Sequence, residues 1–173
     1  VALAEGDSEL TVTGLKSRPY ADMTVSLLRE FGVVVEHDED YGSVRIPGNQ
    51  TYRSTVFEVE GDWSGAAFLL VAGAMRGRVT VTGLRPDSGQ ADRRVLEAIE
   101  QAGADVAWSG GSVTIVSNGR LKAFSFDAGD SPDLFPPLVA LAAGAEGGSR
   151  IRGVGRLKHK ESDRGTVLLE EFG

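Results

Sequence analysis

Cysteine is absent from the 173 residues, and histidine occurs only twice. Without a thiol there is neither a disulfide framework nor a thiolate nucleophile, and the two histidines, His37 and His159, are too far apart in sequence to suggest a zinc site. Lack of cysteine fits a reducing compartment, and the cytoplasm is the expected location. No apolar run approaches the roughly 18 residues needed to cross a bilayer, and no basic stretch followed by an apolar one opens the chain as a secretory leader would. Cations are also in deficit: 18 Lys and Arg against 25 Asp and Glu leave a net charge of −7 and a pI near 4.9. A surface of that sign repels nucleic acid and anionic membranes, so neither is an expected partner.

What is present is the patterning of a globular α/β chain, with 41% hydrophobic and 25% charged residues. Alternation over Glu9 to Gly14 predicts a strand, and apolar spacing over Met23 to Phe31 predicts a helix ending at Gly32. Short strands are expected at Val33 to Glu36, Ser43 to Ile46 and Thr55 to Val59. The stretch Ala66 to Met75 is apolar on every side, which predicts a helix buried all round, beginning near Ser64 and capped by Asp62.

The sequence then resembles itself. Segments opening at Val12, Val81 and Ile151 share one plan of strand, glycine turn, charged loop, amphipathic helix and closing glycine. Gly14, Gly83 and Gly153 stand 69 and 70 residues apart, and Gly32, Gly103 and Gly173 stand 71 and 70 apart. That period is longer than a solenoid repeat, so each copy is expected to be a compact supersecondary unit. The copies at either end lack elements that the middle one has, which predicts a fragment of a longer repeat protein.

One patch runs against the overall charge. From Arg150 to Arg164 six cations (150, 152, 156, 158, 160 and 164) face only Glu161 and Asp163, a local balance of +4. The cations gather ahead of the last helix and in its first turn, with Ser162 as the expected cap, where free N–H groups and the helix dipole already attract anions. A small phosphate or carboxylate ligand is the expected occupant, with arginine able to grip two oxygens at once. Burial against such a ligand would raise the pKa of Glu161 enough for it to give up a proton. The competing reading is a solvated charged face held by i,i+3 and i,i+4 pairs. For Asp133, which follows Pro132 and leads an apolar run, the competing reading is a helix cap. For Ser17 and Tyr20 it is a turn before a helix.

Beyond these local readings, "LKHKESDR" resembles the Lys-Glu-Ser/Thr-Asp-Arg motif of the 5-enolpyruvylshikimate-3-phosphate synthase (EPSP synthase) family. "SRPYADMTVSLLREFGVVVE", "VEGDWSGAAFLLVAGAM" and "SPDLFPPLVALAA" are similar to three further motifs of that family, in its order. The resemblance implies an α/β fold of repeated βαβαββ units arranged in two lobes, incomplete in this chain. Residues 1 to 60 would be the last unit of the first lobe, and 61 to 173 one complete and one truncated unit of the second, with an interlobe crossing near Glu60 to Asp62. It implies transfer of the carboxyvinyl group of phosphoenolpyruvate to the 5-hydroxyl of shikimate 3-phosphate, with release of phosphate and without a metal or other cofactor. Asp133 would be the base at the 5-hydroxyl, and Glu161 would exchange a proton with the methylene carbon. Ser17, Tyr20, Arg156 and Lys160 would contact shikimate 3-phosphate, and Arg164 would hold phosphoenolpyruvate.

Three positions depart from the family pattern: Gly65 replaces a serine, Trp63 a smaller residue, and Arg156 a histidine or asparagine. Several of the family's phosphate-binding segments have no counterpart here, so the isolated chain is expected to be inactive and to need the missing repeats as partners. Self-association through uncovered apolar faces of Ala66 to Met75 and Leu134 to Ala143 is a further expectation. The alternatives are a folding or complementation module without catalysis of its own, and the sister transferase acting on UDP-N-acetylglucosamine. The latter uses a catalytic cysteine in most members.

Overall fold

Two of the repeat copies fold to the same plan, with the same element order and strand order. The computed structural model describes residues 1–159 and 163–172, with His159 described by its backbone only. The chain divides into two compact units, 1–59 and 60–173.

The first unit contains β1 (Ser8–Thr11), α1 (Arg18–Glu30), β2 (Glu36–His37) and β3 (Ser43–Ile46). Its sheet has the order β1-β3-β2, antiparallel throughout, with Leu10 and His37 both opposite Val44. Val25 of α1 packs with Val33, Val35, Tyr41 and Val44 into a small core. The second unit repeats this as β4 (Arg78–Thr82), α3 (Val95–Gln101), β5 (Asp105–Ser109) and β6 (Ser112–Val116), in the antiparallel order β4-β6-β5.

The glycines marking the repeat have the geometry the pattern requires. Gly14, Gly83 and Gly153 follow their strands with φ of 63°, 82° and 97°, values that cost an ordinary side chain dearly. Helices α1 and α3 end alike: Gly32 N–H bonds to Arg29 O and Val33 N–H to Leu28 O, while Gly103 N–H bonds to Glu100 O and Ala104 N–H to Ile99 O. Each is a Schellman ending, in which a left-handed glycine turns the chain so that the next residue caps a carbonyl one turn back.

Around the second repeat run α2 (Trp63–Met75), the short parallel pairs β7 (Leu121–Lys122) with β9 (Ala145–Glu146) and β8 (Ser125–Asp127) with β10 (Arg150–Arg152), α4 (Phe135–Ala143) and α5 (Arg164–Phe172). Helices α2 and α4 pack on each other at the centre of the unit, burying Trp63, Leu70, Leu134, Leu138 and Leu141 with Ile99, Val113 and Ile115. Gly73 lets α2 approach β4: a Cβ there would stand 2.9 Å from that of Val79.

Three expectations need correcting. Helix α1 begins at Arg18, five residues ahead of the predicted start, because Pro19 supplies the fixed φ that suits a first turn and lacks the N–H that would go unbonded there. Residues 51–59 form no strand: β-branched side chains favour extended backbone, but a strand also needs a ladder partner, and none is found among the described residues. Helix α2 is not buried all round but has the uncovered apolar face also expected of it, since Phe68 and Leu69 remain 52% and 56% exposed where nothing described in its unit covers them. Helix α4, by contrast, leaves no large apolar side chain exposed.

Candidate active site

The second unit brings Asp133 and Arg164 together through loop packing. At the end of β8 the chain turns, with Ser131 N–H bonding Ala128 O and Leu134 N–H bonding Ser131 O, into a 3-10 turn at Pro132–Leu134 that leads directly into α4. At the end of β10, Gly153 lies against that turn so closely that a Cβ would stand 2.7 Å from Gly129 N. Ala128 N–H bonds Arg152 O at 3.0 Å, and the two loops are thereby clasped. Beyond Gly153 a second 3-10 stretch, Val154–His159, inserts Leu157 fully into the core and carries Arg156, half-buried, on the same loop.

Among the described residues an ion pair joins Asp133 and Arg164. Arg164, the first residue of α5, donates from Nη1 to Asp133 Oδ1 at 2.7 Å, with the two side chains 27% and 35% exposed. Its backbone is held by Asp163, whose carboxylate accepts from Thr166 N–H at 3.2 Å and from the Thr166 hydroxyl at 3.0 Å. Those two bonds hold the Asp163 carboxyl below its ordinary pKa, because they favour the ionised form. The described cap of α5 is therefore Asp163; Ser162, the expected cap, lies outside the described residues.

Asp133 is not a helix cap. Leu134 occupies the cap position of α4 without a side-chain bond, and the Asp133 carboxylate is directed instead to Arg164. Arg164 sits in the first turn of α5 as expected. Lys160 and Glu161 lie outside the described residues.

Ser17 and Tyr20 belong to the first unit. Ser17 precedes α1 with φ 54°, a left-handed conformation uncommon for serine, and makes no capping bond. Tyr20 lies within the first turn rather than before it, its N–H bonding Ser17 O at 3.0 Å. Beside them an open groove of about 320 Å³ is lined by Val12, Leu15, Arg18 and Asp40 with two glycines.

A polar network at the head of α2 escapes the sequence. Asp62 caps the helix as expected, accepting from Ser64 and Gly65 N–H at 3.0 Å each. Beneath it, the Gln90 side chain accepts from Trp63 N–H and donates to Gly61 O, while the fully buried Asp92 accepts from the Ser64 hydroxyl. Nothing in "GQAD" distinguishes these residues from an exposed loop, because their partners lie 27 to 29 residues away.

The sequence profile of EPSP synthase (3-phosphoshikimate 1-carboxyvinyltransferase) matches residues 1–173. The chain belongs to the EPSP synthase family. It is 43% identical to the 3-phosphoshikimate 1-carboxyvinyltransferase of Methanosarcina acetivorans, over 98% of this chain and 41% of the relative. It is 47% identical to that of Aeropyrum pernix, over 92% of this chain and 36% of the relative. Among solved structures it is similar to EPSP synthase from Acinetobacter baumannii, with a TM-score of 0.74 and 27% identity over 96% of this chain and 39% of that one. The enolpyruvyl transferase NikO from Streptomyces tendae shares the fold, with a TM-score of 0.66 at 23% identity over 87% of this chain and 36% of that one. The chain thus spans about two fifths of the length of these family members. Among the described residues no helix is long and apolar enough to cross a membrane.

Proposed function

We infer that this chain is part of an enolpyruvyl transferase that joins phosphoenolpyruvate to the 5-hydroxyl of shikimate 3-phosphate. The observation that carries the reading is the family match along all 173 residues. The relatives' shared name supports the shikimate acceptor over UDP-N-acetylglucosamine.

In this reading two anionic substrates are brought side by side, and their repulsion is offset by cations: Arg164 toward phosphoenolpyruvate, Lys160 and Arg156 toward shikimate 3-phosphate, with Ser17 and Tyr20 as further contacts. Asp133 accepts the proton of the attacking 5-hydroxyl. Glu161 exchanges a proton with the methylene carbon, so that the oxygen adds to C2, and phosphate then leaves. Two carboxyl groups with opposite tasks need different environments, one favouring the carboxylate and one the acid. Residues 1–60 are proposed as the last unit of one lobe, and 61–173 as units of the other.

The 173-residue chain alone is expected to give no turnover with both substrates, measured as phosphate release. Adding the missing repeats as a second polypeptide is expected to restore it, and restored turnover would support the complementation reading. Steady activity of the isolated chain would refute its dependence on other segments. No activity with shikimate 3-phosphate, alongside activity with UDP-N-acetylglucosamine, in the complemented or full-length protein would refute the substrate assignment.

A further inference from the structure

Helix α5 carries Arg164, yet it is the least firmly held helix of the second unit. It has nine residues and buries none of its described side chains, whereas α2, α3 and α4 each bury several. Its second residue is Gly165, the poorest helix former after proline. A helix so short and so little buried holds its first turn weakly by propensity and packing. What holds that turn is Asp163. Its Oδ1 accepts from Thr166 N–H at 3.2 Å, its Oδ2 from the Thr166 hydroxyl at 3.0 Å, and its carbonyl from Val167 N–H at 3.3 Å. Charge alone argues against an aspartate here, because it sets a carboxylate beside an arginine assigned to an anion. Serine or asparagine would cap as well without that repulsion. A carboxylate alone offers two separate acceptor oxygens and no donor, and Thr166 uses both.

We propose that Asp163 is a positioning residue for the anion site: by fixing the first turn of α5 it fixes the Cα–Cβ direction of Arg164, and so where the guanidinium meets a phosphate or carboxylate. The proposal rests on the reading above that gives Arg164 to phosphoenolpyruvate. Arg164 is the first residue of the helix, so it moves with that turn. Asp133, on the other loop, stands between the fully buried Ser131 and Leu134 and has a hold of its own in the core. A frayed first turn therefore displaces Arg164 against a wall that stays in place, and a shift of about 1 Å is enough to spoil an oriented contact. Asp163 and Thr166 are themselves exposed, so replacing either leaves the core untouched.

The test uses inorganic phosphate and phosphoenolpyruvate as probes, with binding followed by NMR of the 173-residue chain and no turnover required. Asp163→Ala is expected to weaken binding of either probe about fivefold, the effect of losing one helix cap. Asp163→Asn keeps one acceptor oxygen and sheds the charge, and is expected to weaken binding about twofold. Thr166→Val is expected to do the same, and Thr166→Ser, which restores the hydroxyl, to bind like the unaltered chain. Asp62→Ala removes a cap from α2 instead, and is expected to change affinity by less than about twofold, which separates positioning from a general loss of stability. Arg164→Gln is expected to abolish binding. Unchanged affinity in Asp163→Ala, tighter binding by Asp163→Asn, or an equal loss in Asp62→Ala would overturn the positioning role and leave the anion site standing. Full affinity in Arg164→Gln, or no binding of either probe by the unaltered chain, would remove the anion site itself, and the proposal with it.

Discussion

Tyr41 shows how much a single side chain can be committed by its surroundings. Its ring is buried, stacks on His37 with centroids 4.0 Å apart, and its hydroxyl donates to Asp22 Oδ1 at 2.7 Å. Burial first, and then the bond to Asp22, raise the phenol above its ordinary pKa of 10.0. A raised value in the folded state means that the protonated phenol is stabilised by folding. That contribution is complete below pH 10.0 and disappears as pH rises through the higher folded value. Tyr41→Phe is expected to lower stability by about 1 kcal/mol at neutral pH and to flatten the alkaline decline. Urea unfolding at neutral and strongly alkaline pH checks both. Asp133 and Arg164 show the same lesson for function, since neither residue type announces its partner 31 positions away.

At the scale of elements, two contrasts separate backbone strain from crowding and capping from burial. Gly103 closes α3 with φ 92°, and its nearest neighbour to a hypothetical Cβ is 3.9 Å away, so Gly103→Ala strains the backbone alone. The expected cost is roughly 1–2 kcal/mol. Gly153 has a similar φ of 97°, but its Cβ would stand 2.7 Å from Gly129 N, so Gly153→Ala must also part the loops that carry Asp133 and Arg156. It is expected to destabilise more than Gly103→Ala, with denaturant melts giving the order. At the head of α2, Asp62→Ala removes a solvent-facing cap, worth about 1 kcal/mol. Asp92→Ala leaves the Ser64 hydroxyl without its buried acceptor and is expected to cost more, roughly 1–3 kcal/mol. Equal losses at 62 and 92 would show that burial adds nothing to the network.

The molecule as a whole carries an apolar stripe at odds with its acidic composition. Phe68 and Leu69 lie on one face of α2 with Gly65 and Ala72, all exposed. Helix faces of this kind drive association when uncovered. The chain is expected to self-associate, and a Phe68→Glu, Leu69→Lys double variant to shift it toward monomer in sedimentation velocity without loss of helical signal. A stable monomer in the unaltered chain would show that this face is tolerated in water.

The 70-residue repeat, the helices α1 to α5, the left-handed glycines and the Asp62 cap were all legible from the residues, because each depends on spacing or on the conformational freedom of one position. So was the family, because four motifs stand in order along one chain. Pairing was not legible. Whether 51–59 finds a ladder partner, which face of α2 is covered, where Asp133 directs its carboxylate and what Asp92 holds all depend on groups distant in sequence. Periodicity reports which residues avoid water, whereas hydrogen bonds and ion pairs are directional and short-ranged, so only the folded chain decides which polar groups meet.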